Sequence, residues 1–399
     1  MVDSETNGPL AGLRVLCLAE QYPGPYATLL MADLGADVIV VERPGGGDPA
    51  RSLPVFHGSF GRNKSSVALD LKSPEGIDAL RRLAAASDVF LEGFRPGTAE
   101  RLGFGRPALH EINPKLVYIS ISGFGQDGPY RVRPAHDLSF QAMAGVLAAT
   151  PSDQADAGSG IALGDLTSGL FAVIGALTAL RQRDQTGTSP HVDVSMMDCL
   201  VSMMTRQLAS VANGASEEWL ESEPGYGVYP TKDGEITLSI SVEEHFWRSL
   251  CEVLDMPAAH NMDIATRRAN CDDLRVTITQ RLSERSSAHW ESVLHEAGIP
   301  FGPVNSLQQV IDDPQVHDRG LIIEPDDASE DESRRVHVRQ PLKFDGVGHA
   351  PTRGVPKLGE NTREVLKTVA GMASSQVDDL IERGAAAEPA AATTDTSGA

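Results

Sequence analysis

Short apolar runs recur through the first third of the chain, each closed by glycine, proline or charge. They lie at 13–19 (LRVLCLA), 37–42 (DVIVVE), 65–71 (SSVALDL), 88–94 (DVFLEGF) and 116–125 (LVYISISGFG). Continuous apolar runs of this length suit strands buried on both faces. The stretches between them carry helical signals. Residues 27–34 follow Pro23, Gly24 and Pro25, which close the first run. Residues 73–87 open with Ser73 and Pro74, a capping residue followed by a proline at the first helical position. Strand alternating with helix predicts an α/β fold built on a parallel, doubly wound sheet over the first half of the chain.

The pattern changes further on. Residues 227–241 (GVYPTKDGEITLSIS) place Asp233–Gly234 between two strand-like runs, a hairpin signal, and helical stretches follow at 246–254, 273–282 and 289–297. This predicts a smaller α+β domain over 222–325. Strand character at 336–344 and a helical stretch at 359–369 then return the chain to the large domain, which would comprise 1–221 and 326–383. Residues 384–399, small, polar and without period, read as a disordered tail.

Composition narrows the function. A chain of 399 residues is too long for one simple core, and its net charge of −21 argues against nucleic acid as a partner. Residues 1–135 hold 14 Lys/Arg against 15 Asp/Glu, so the remaining 264 residues carry −20 of that charge. The amino-terminal part is therefore the part suited to an anionic ligand. The apolar run at 170–180 is too short to cross a bilayer, and MVDSETNG is too polar for a signal peptide. Cys17, Cys199, Cys251 and Cys271 are scattered, without metal-ligand or disulfide spacing, and read as reduced cytoplasmic thiols. Neither a metal site nor a membrane partner is expected.

Two stretches carry candidate chemistry. The segment 42–51 (ERPGGGDPAR) is a glycine-rich loop after a strand, with Arg43 and Arg51, while Arg62, Lys64 and Arg95 stand near the ends of other strands. Arginine pairs well with phosphate, and ligands of open α/β sheets bind beyond the carboxyl ends of strands. A phosphate-bearing cofactor is expected there. NAD is not, because the turn after the first strand lacks GxGxxG. The second stretch, 164–180 (GDLTSGLFAVIGALTAL), sets the single carboxylate of Asp165 before an apolar helix. Asp165 can be an N-cap, or a nucleophile or base held at a buried helix start.

In this setting the chain resembles the family III CoA-transferases, including the formyl-, oxalate- and carnitine-type enzymes and the related 2-methylacyl-CoA racemases. The likeness is carried by MADLGADVIVVERPGGGDPAR, RNKSSVALDLKSPEG, EGFRPGTAERLGFG, SGFGQDGPY, GDLTSGLFAVIGALTAL, AGIPFGPVNSLQQVIDDPQV and PKLGENTREVL, in the family's order. The resemblance implies a Rossmann-like large domain, a smaller domain and an interlocked homodimer. It implies coenzyme A thioester as substrate, with no permanently bound cofactor, held by Tyr22, Pro23, Arg43, Leu69 to Lys72, Gly93, Phe94, Arg95, Arg101 and Arg133. Asp165 falls on the catalytic aspartate.

Two activities follow from the resemblance. A transferase would use Asp165 as a nucleophile on an acyl-CoA thioester, passing CoA to a carboxylic acid through an aspartyl–acyl anhydride and an aspartyl-CoA thioester. A racemase would move the α-proton between two acid/base groups. His136 stands where the racemases keep a histidine, and Glu243 where they keep a glutamate. The D-x-x-[ST]-G form of GDLTSGL and the SGFGQDGPY segment favour the transferase.

Overall fold

The computed structural model describes residues 8–149, 160–214, 223–323, 336–345 and 353–389. The chain forms two compact units, one of 1–204 with 318–399 and the other of 205–317. These boundaries differ from the expected 222 and 325.

The large unit is built on β1 (Arg14–Cys17), β2 (Asp37–Glu42), β3 (Lys64–Leu69), β4 (Val89–Glu92), β5 (Val117–Ser122) and β6 (His191–Ser195). These six are parallel and lie in the order β3-β2-β1-β4-β5-β6, the order of an open doubly wound sheet. Up to residue 204 its helices are α1 (Pro23–Asp33), α2 (Pro54–Gly61), α3 (Pro74–Ala85), α4 (Thr98–Leu102), α5 (Arg106–Ile112), α6 (Asp137–Met143), α7 (Leu163–Thr186) and α8 (Met196–Met203). Strand residues alternate between two cores. On β1, Leu16 packs with Leu80, Leu83 and Phe104 on one face, while Val15 and Cys17 pack with Ala27, Met31, Ala172 and Ala176 on the other. A strand covered on both sides is apolar on both faces over most of its length, which is why these runs do not alternate in sequence.

Some local chemistry departs from expectation. Pro23 starts α1 rather than ending the preceding strand, since a residue at the head of a helix needs no N–H. Ser73 caps α3 as expected, accepting the Gly76 N–H at 3.0 Å. Helix α7 has 24 residues and is apolar enough to cross a membrane by length and composition, yet half of its most apolar 18-residue window is buried inside the protein. Its buried alanines, Ala172, Ala176 and Ala179, belong to the core against the sheet.

The smaller unit contains α9 (Thr205–Ala212), the antiparallel strands β7 (Tyr226–Pro230), β8 (Glu235–Ser239) and β9 (Phe301–Pro303), and helices α10 (Glu244–Val253), α11 (Ile264–Ala269), α12 (Cys271–Ser283), α13 (Ser287–Glu296) and α14 (Leu307–Ile311). The β7–β8 hairpin turns over Asp233–Gly234, and its core gathers Trp247, Leu250, Ile278 and Leu294.

After α15 (Pro314–Asp318), the chain returns to the large unit. Strands β10 (Ile322–Ile323) and β11 (His337–Val338) form a two-residue ladder, far shorter than the strand expected over 336–344. Helix α16 (Thr362–Thr368) is fastened to β3 by Thr362 Oγ1, which accepts the Ala68 N–H at 3.0 Å. Helix α17 (Ser374–Glu382) follows. The expected disordered tail begins too early, because β12 (Ala386–Ala387) pairs antiparallel with β3. Alanines carry no sequence period, but they are small enough for Ala385 and Ala386 to be buried at this sheet edge.

Candidate active site

The strand order reverses between β1 and β4, where doubly wound sheets open a ligand crevice beyond their carboxyl ends. A cavity of about 580 Å3 lies there, walled by the segments after β1, β4 and β5, by the start of α6 and by Asp165. That volume suits a small-molecule site.

Asp165 lies in the first turn of α7, and the helix has no side-chain cap of its own. Asp165 is therefore not the N-cap, the first of the two alternatives that its place in the sequence left open. Asp137 takes that part from the head of α6: its Oδ1 accepts the Gly164 N–H at 2.7 Å and the Asp165 N–H at 3.2 Å. Its other oxygen accepts from Gln141 Nε2. A Cβ on Gly164 would stand 3.0 Å from Asp137 Oδ1, so the glycine makes room for this approach. The Asp165 carboxylate itself accepts no hydrogen bond among the described residues. Burial first, and then the neighbouring charge of Asp137, push its pKa up from 3.8 to about 7. A half-buried, unbonded carboxyl titrating near neutrality is available as nucleophile or base.

Tyr22 reaches the same cavity. Its ring packs on Phe56 and Phe60 at centroid distances of 4.9 and 5.0 Å. Burial, then the Asp165 charge, hold its phenol above the ordinary value. The preceding residue, Gln21, has φ +66°, a left-handed conformation that costs a non-glycine residue about 1–2 kcal/mol.

Of the other residues implied by the family likeness, Pro23, Gly93, Phe94, Arg95, Arg133 and His136 line this cavity. His136 sits at the head of α6 and makes no side-chain hydrogen bond among the described residues. Arg43, Lys72 and Arg101 are exposed outside the cavity wall, and Arg43 Nε donates to Gly47 O at 2.9 Å. Leu69 is 0% exposed and belongs to the core. Glu243 lies in the smaller unit, before α10. Its carboxylate accepts the Ser241 N–H and hydroxyl at 3.0 and 3.2 Å, and hydrogen bonding to backbone amides holds its pKa below the ordinary value.

Three of the expected anion-binding cations are already engaged within the protein. Arg51 grips Glu42 through bonds of 2.6 and 2.7 Å. Arg62 grips Asp33 at 3.1 and 2.5 Å with both side chains 0% exposed. Lys64 donates to Pro25 O and Thr28 Oγ1, both at 2.8 Å, and burial lowers its pKa to about 8.

Sequence reasoning passed over other groups of the cavity. Arg131 lines it, and no ion pair engages Arg95, Arg131 or Arg133 among the described residues. Glu92, the last residue of β4, does not line the cavity but adjoins Gly93, which does; burial raises its pKa to about 7, and its Oε2 accepts the Phe94 N–H at 2.7 Å. A strand ending in a lone acid was the available signal for Glu92. Asp137, adjacent to His136, gave none.

A crevice at a strand-order reversal, a carboxyl of raised pKa, and arginines without an ion pair among the described residues are the features of an α/β enzyme site suited to an anionic ligand. Residues 10–362 match the model of CoA-transferase family III, and the chain belongs to that family. It is 32% identical to the succinyl-CoA:glutarate CoA-transferase of Mus musculus, over 96% of this chain and 91% of that one. It is also 32% identical to the acetyl-CoA:oxalate CoA-transferase of Acetobacter aceti, over 92% and 97%. Among solved structures, a CAIB/BAIF family protein from Brucella suis matches with a TM-score of 0.79 and 30% identity, covering 90% of this chain and 98% of that one.

Proposed function

We propose that this enzyme transfers CoA from an acyl-CoA to a carboxylic acid, with Asp165 as the covalent nucleophile. The observation that carries the reading is the unbonded Asp165 carboxyl, raised to about 7 and facing the crevice at the strand-order reversal. One carboxylate oxygen attacks the thioester carbonyl and CoA thiolate leaves, giving an aspartyl–acyl anhydride. The thiolate then attacks the aspartyl carbon and releases the donor acid, leaving an aspartyl-CoA thioester. The acceptor carboxylate attacks that thioester, forming a new mixed anhydride and free thiolate. Attack of the thiolate on the acceptor's carbonyl yields the new acyl-CoA and restores Asp165. Each step exchanges one acyl bond for another, which divides a difficult transfer into easier ones.

Short dicarboxylic acids are the proposed substrates. The relatives are named for succinyl, glutarate and oxalate groups, and Arg95, Arg131 and Arg133 give the cavity wall positive charge for a second carboxylate. The named transferases do not favour the racemase reading, in which His136 would move the α-proton. To test the proposal, the enzyme is incubated briefly with succinyl-CoA and hydroxylamine and then mapped by mass spectrometry. A hydroxamate at Asp165 is expected. An unmodified Asp165 together with α-proton exchange into deuterated solvent would replace the transferase by the racemase.

CoA is proposed to run from the cavity toward the glycine-rich loop, with Arg43 on its nucleotide end. Arg43→Ala is expected to weaken CoA binding by about 1–3 kcal/mol in titration calorimetry, through loss of a charge-assisted contact. Equal affinities would remove Arg43 from the site. We also propose a homodimer, because α7 exposes Leu170, Ile174 and Leu177 at helical spacing. Sedimentation as a monomer at micromolar concentration would exclude it.

A further inference from the structure

Four non-glycine residues among those described have positive φ: Gln21, Asn63, Asp255 and Asp345. Asn and Asp visit this region readily and Gln does not, so Gln21 needs an external restraint. One is present. Asp48, nearly fully buried at the end of the glycine-rich loop, accepts the Gln21 N–H at 3.2 Å on Oδ1 and 2.9 Å on Oδ2.

Asp48 is itself fixed from several sides. Its Oδ1 accepts the Ala50 N–H at 2.8 Å, and its own N–H donates to Glu42 Oε1 at 3.0 Å. Glu42 is held in turn by Arg51 and by the Ser66 hydroxyl at 2.5 Å. The loop closes this tightly only with glycine before Asp48. Gly47 has φ +65°, and a Cβ there would stand 2.7 Å from Glu42 Oε1. A continuous set of hydrogen bonds thus runs from β3 and β2, through the loop, to the turn before α1. Gln21 and Tyr22 in that turn line the cavity with Asp165.

We propose that Asp48 is a positioning residue: by accepting the Gln21 N–H it holds the left-handed turn that sets Tyr22 and the head of α1 in the cavity wall with Asp165. The glycine-rich loop and the reacting end of the cavity then move as one body. This inference rests on the transferase reading above.

Asp48→Ala is expected to lower kcat by about 100-fold, as a small misplacement at a reacting centre does, while KM for succinyl-CoA moves far less. Asp48→Asn keeps an oxygen for the Gln21 N–H and should retain most of the rate. Adding Gln21→Gly to Asp48→Ala should recover a large part of kcat, because glycine holds positive φ without a restraint. A merely structural aspartate would give no such rescue. An Asp48→Ala enzyme with the parent's kcat, or one that Gln21→Gly fails to rescue, overturns the proposal. Should Asp48→Ala not fold, Gln21→Val in the otherwise intact chain takes its place, since a β-branched residue resists positive φ. Full kcat in that variant is the overturning result. A parent without CoA exchange fails the transferase reading instead. Deuterium uptake over residues 20–24 then decides this proposal: faster uptake in the Asp48 or Gln21→Val variant supports it, and unchanged uptake overturns it.

Discussion

Asp165→Asn is expected to lower turnover by about 10⁴–10⁶-fold, the scale on which loss of a covalent nucleophile acts. An amide of the same shape cannot form the anhydride, so the first chemical step is lost while substrate binding persists. The fold has little reason to suffer. The N–H groups at the head of α7 are capped by Asp137, not by Asp165. A rapid-quench assay of CoA exchange measures the loss, and a variant with full turnover would return Asp165 to a purely structural place.

The same substitution has an opposite effect on stability. The folded pKa of Asp165, about 7, lies above its ordinary 3.8, because burial and Asp137 disfavour the charged form. Between those values the folded chain holds a proton that the unfolded chain has released. The favourable contribution of the protonated group is therefore complete below about 3.8 and is lost as pH rises through about 7. Asparagine has no charge to lose, so the Asp165→Asn protein should melt above the parent in alkaline buffer and close to it in strongly acidic buffer. Turnover in the parent runs the other way, rising through pH 7 as the nucleophile ionises. A variant that melts below the parent at alkaline pH would contradict the burial argument.

The sheet was legible because a doubly covered strand is mostly apolar on both faces, and the centres of 13–19, 37–42 and 88–94 carry that pattern without help from distant residues. Asp165 was legible from a related signal, as the one charge before an apolar helix. Its surroundings were not. The cap comes from Asp137, 28 residues earlier, and only the packing of α6 on α7 brings the two together. Arg51, Arg62 and Lys64 resembled a phosphate cradle because sequence does not tell a free guanidinium from a paired one. Asp33 reaches Arg62 across 29 residues and Glu42 reaches Arg51 across nine. The β12 pairing was hidden for another reason. Alanines at a sheet edge are placed by the element docked before them, not by a pattern of their own.

The Asp33–Arg62 pair carries the largest expected effect on stability. Both groups are wholly out of water, and Arg62 also donates to Val338 O at 2.7 Å, holding the returning chain to the large unit. Asp33→Ala would leave a buried guanidinium without its counter-charge, which costs about 3–5 kcal/mol. Replacing both residues, as Asp33→Leu with Arg62→Met, removes both desolvation penalties and should recover part of that loss, although Val338 O loses its donor. Urea unfolding of parent, single and double variants measures the difference, and a single variant within about 1 kcal/mol of the parent would mean that water reaches this pair. Asp33 is the last residue of α1, whose first turn borders the active-site cavity. A loss at this end of the helix should therefore lower kcat in the single variant at temperatures below its melting transition, and the paired apolar replacement should restore activity only as far as it restores α1.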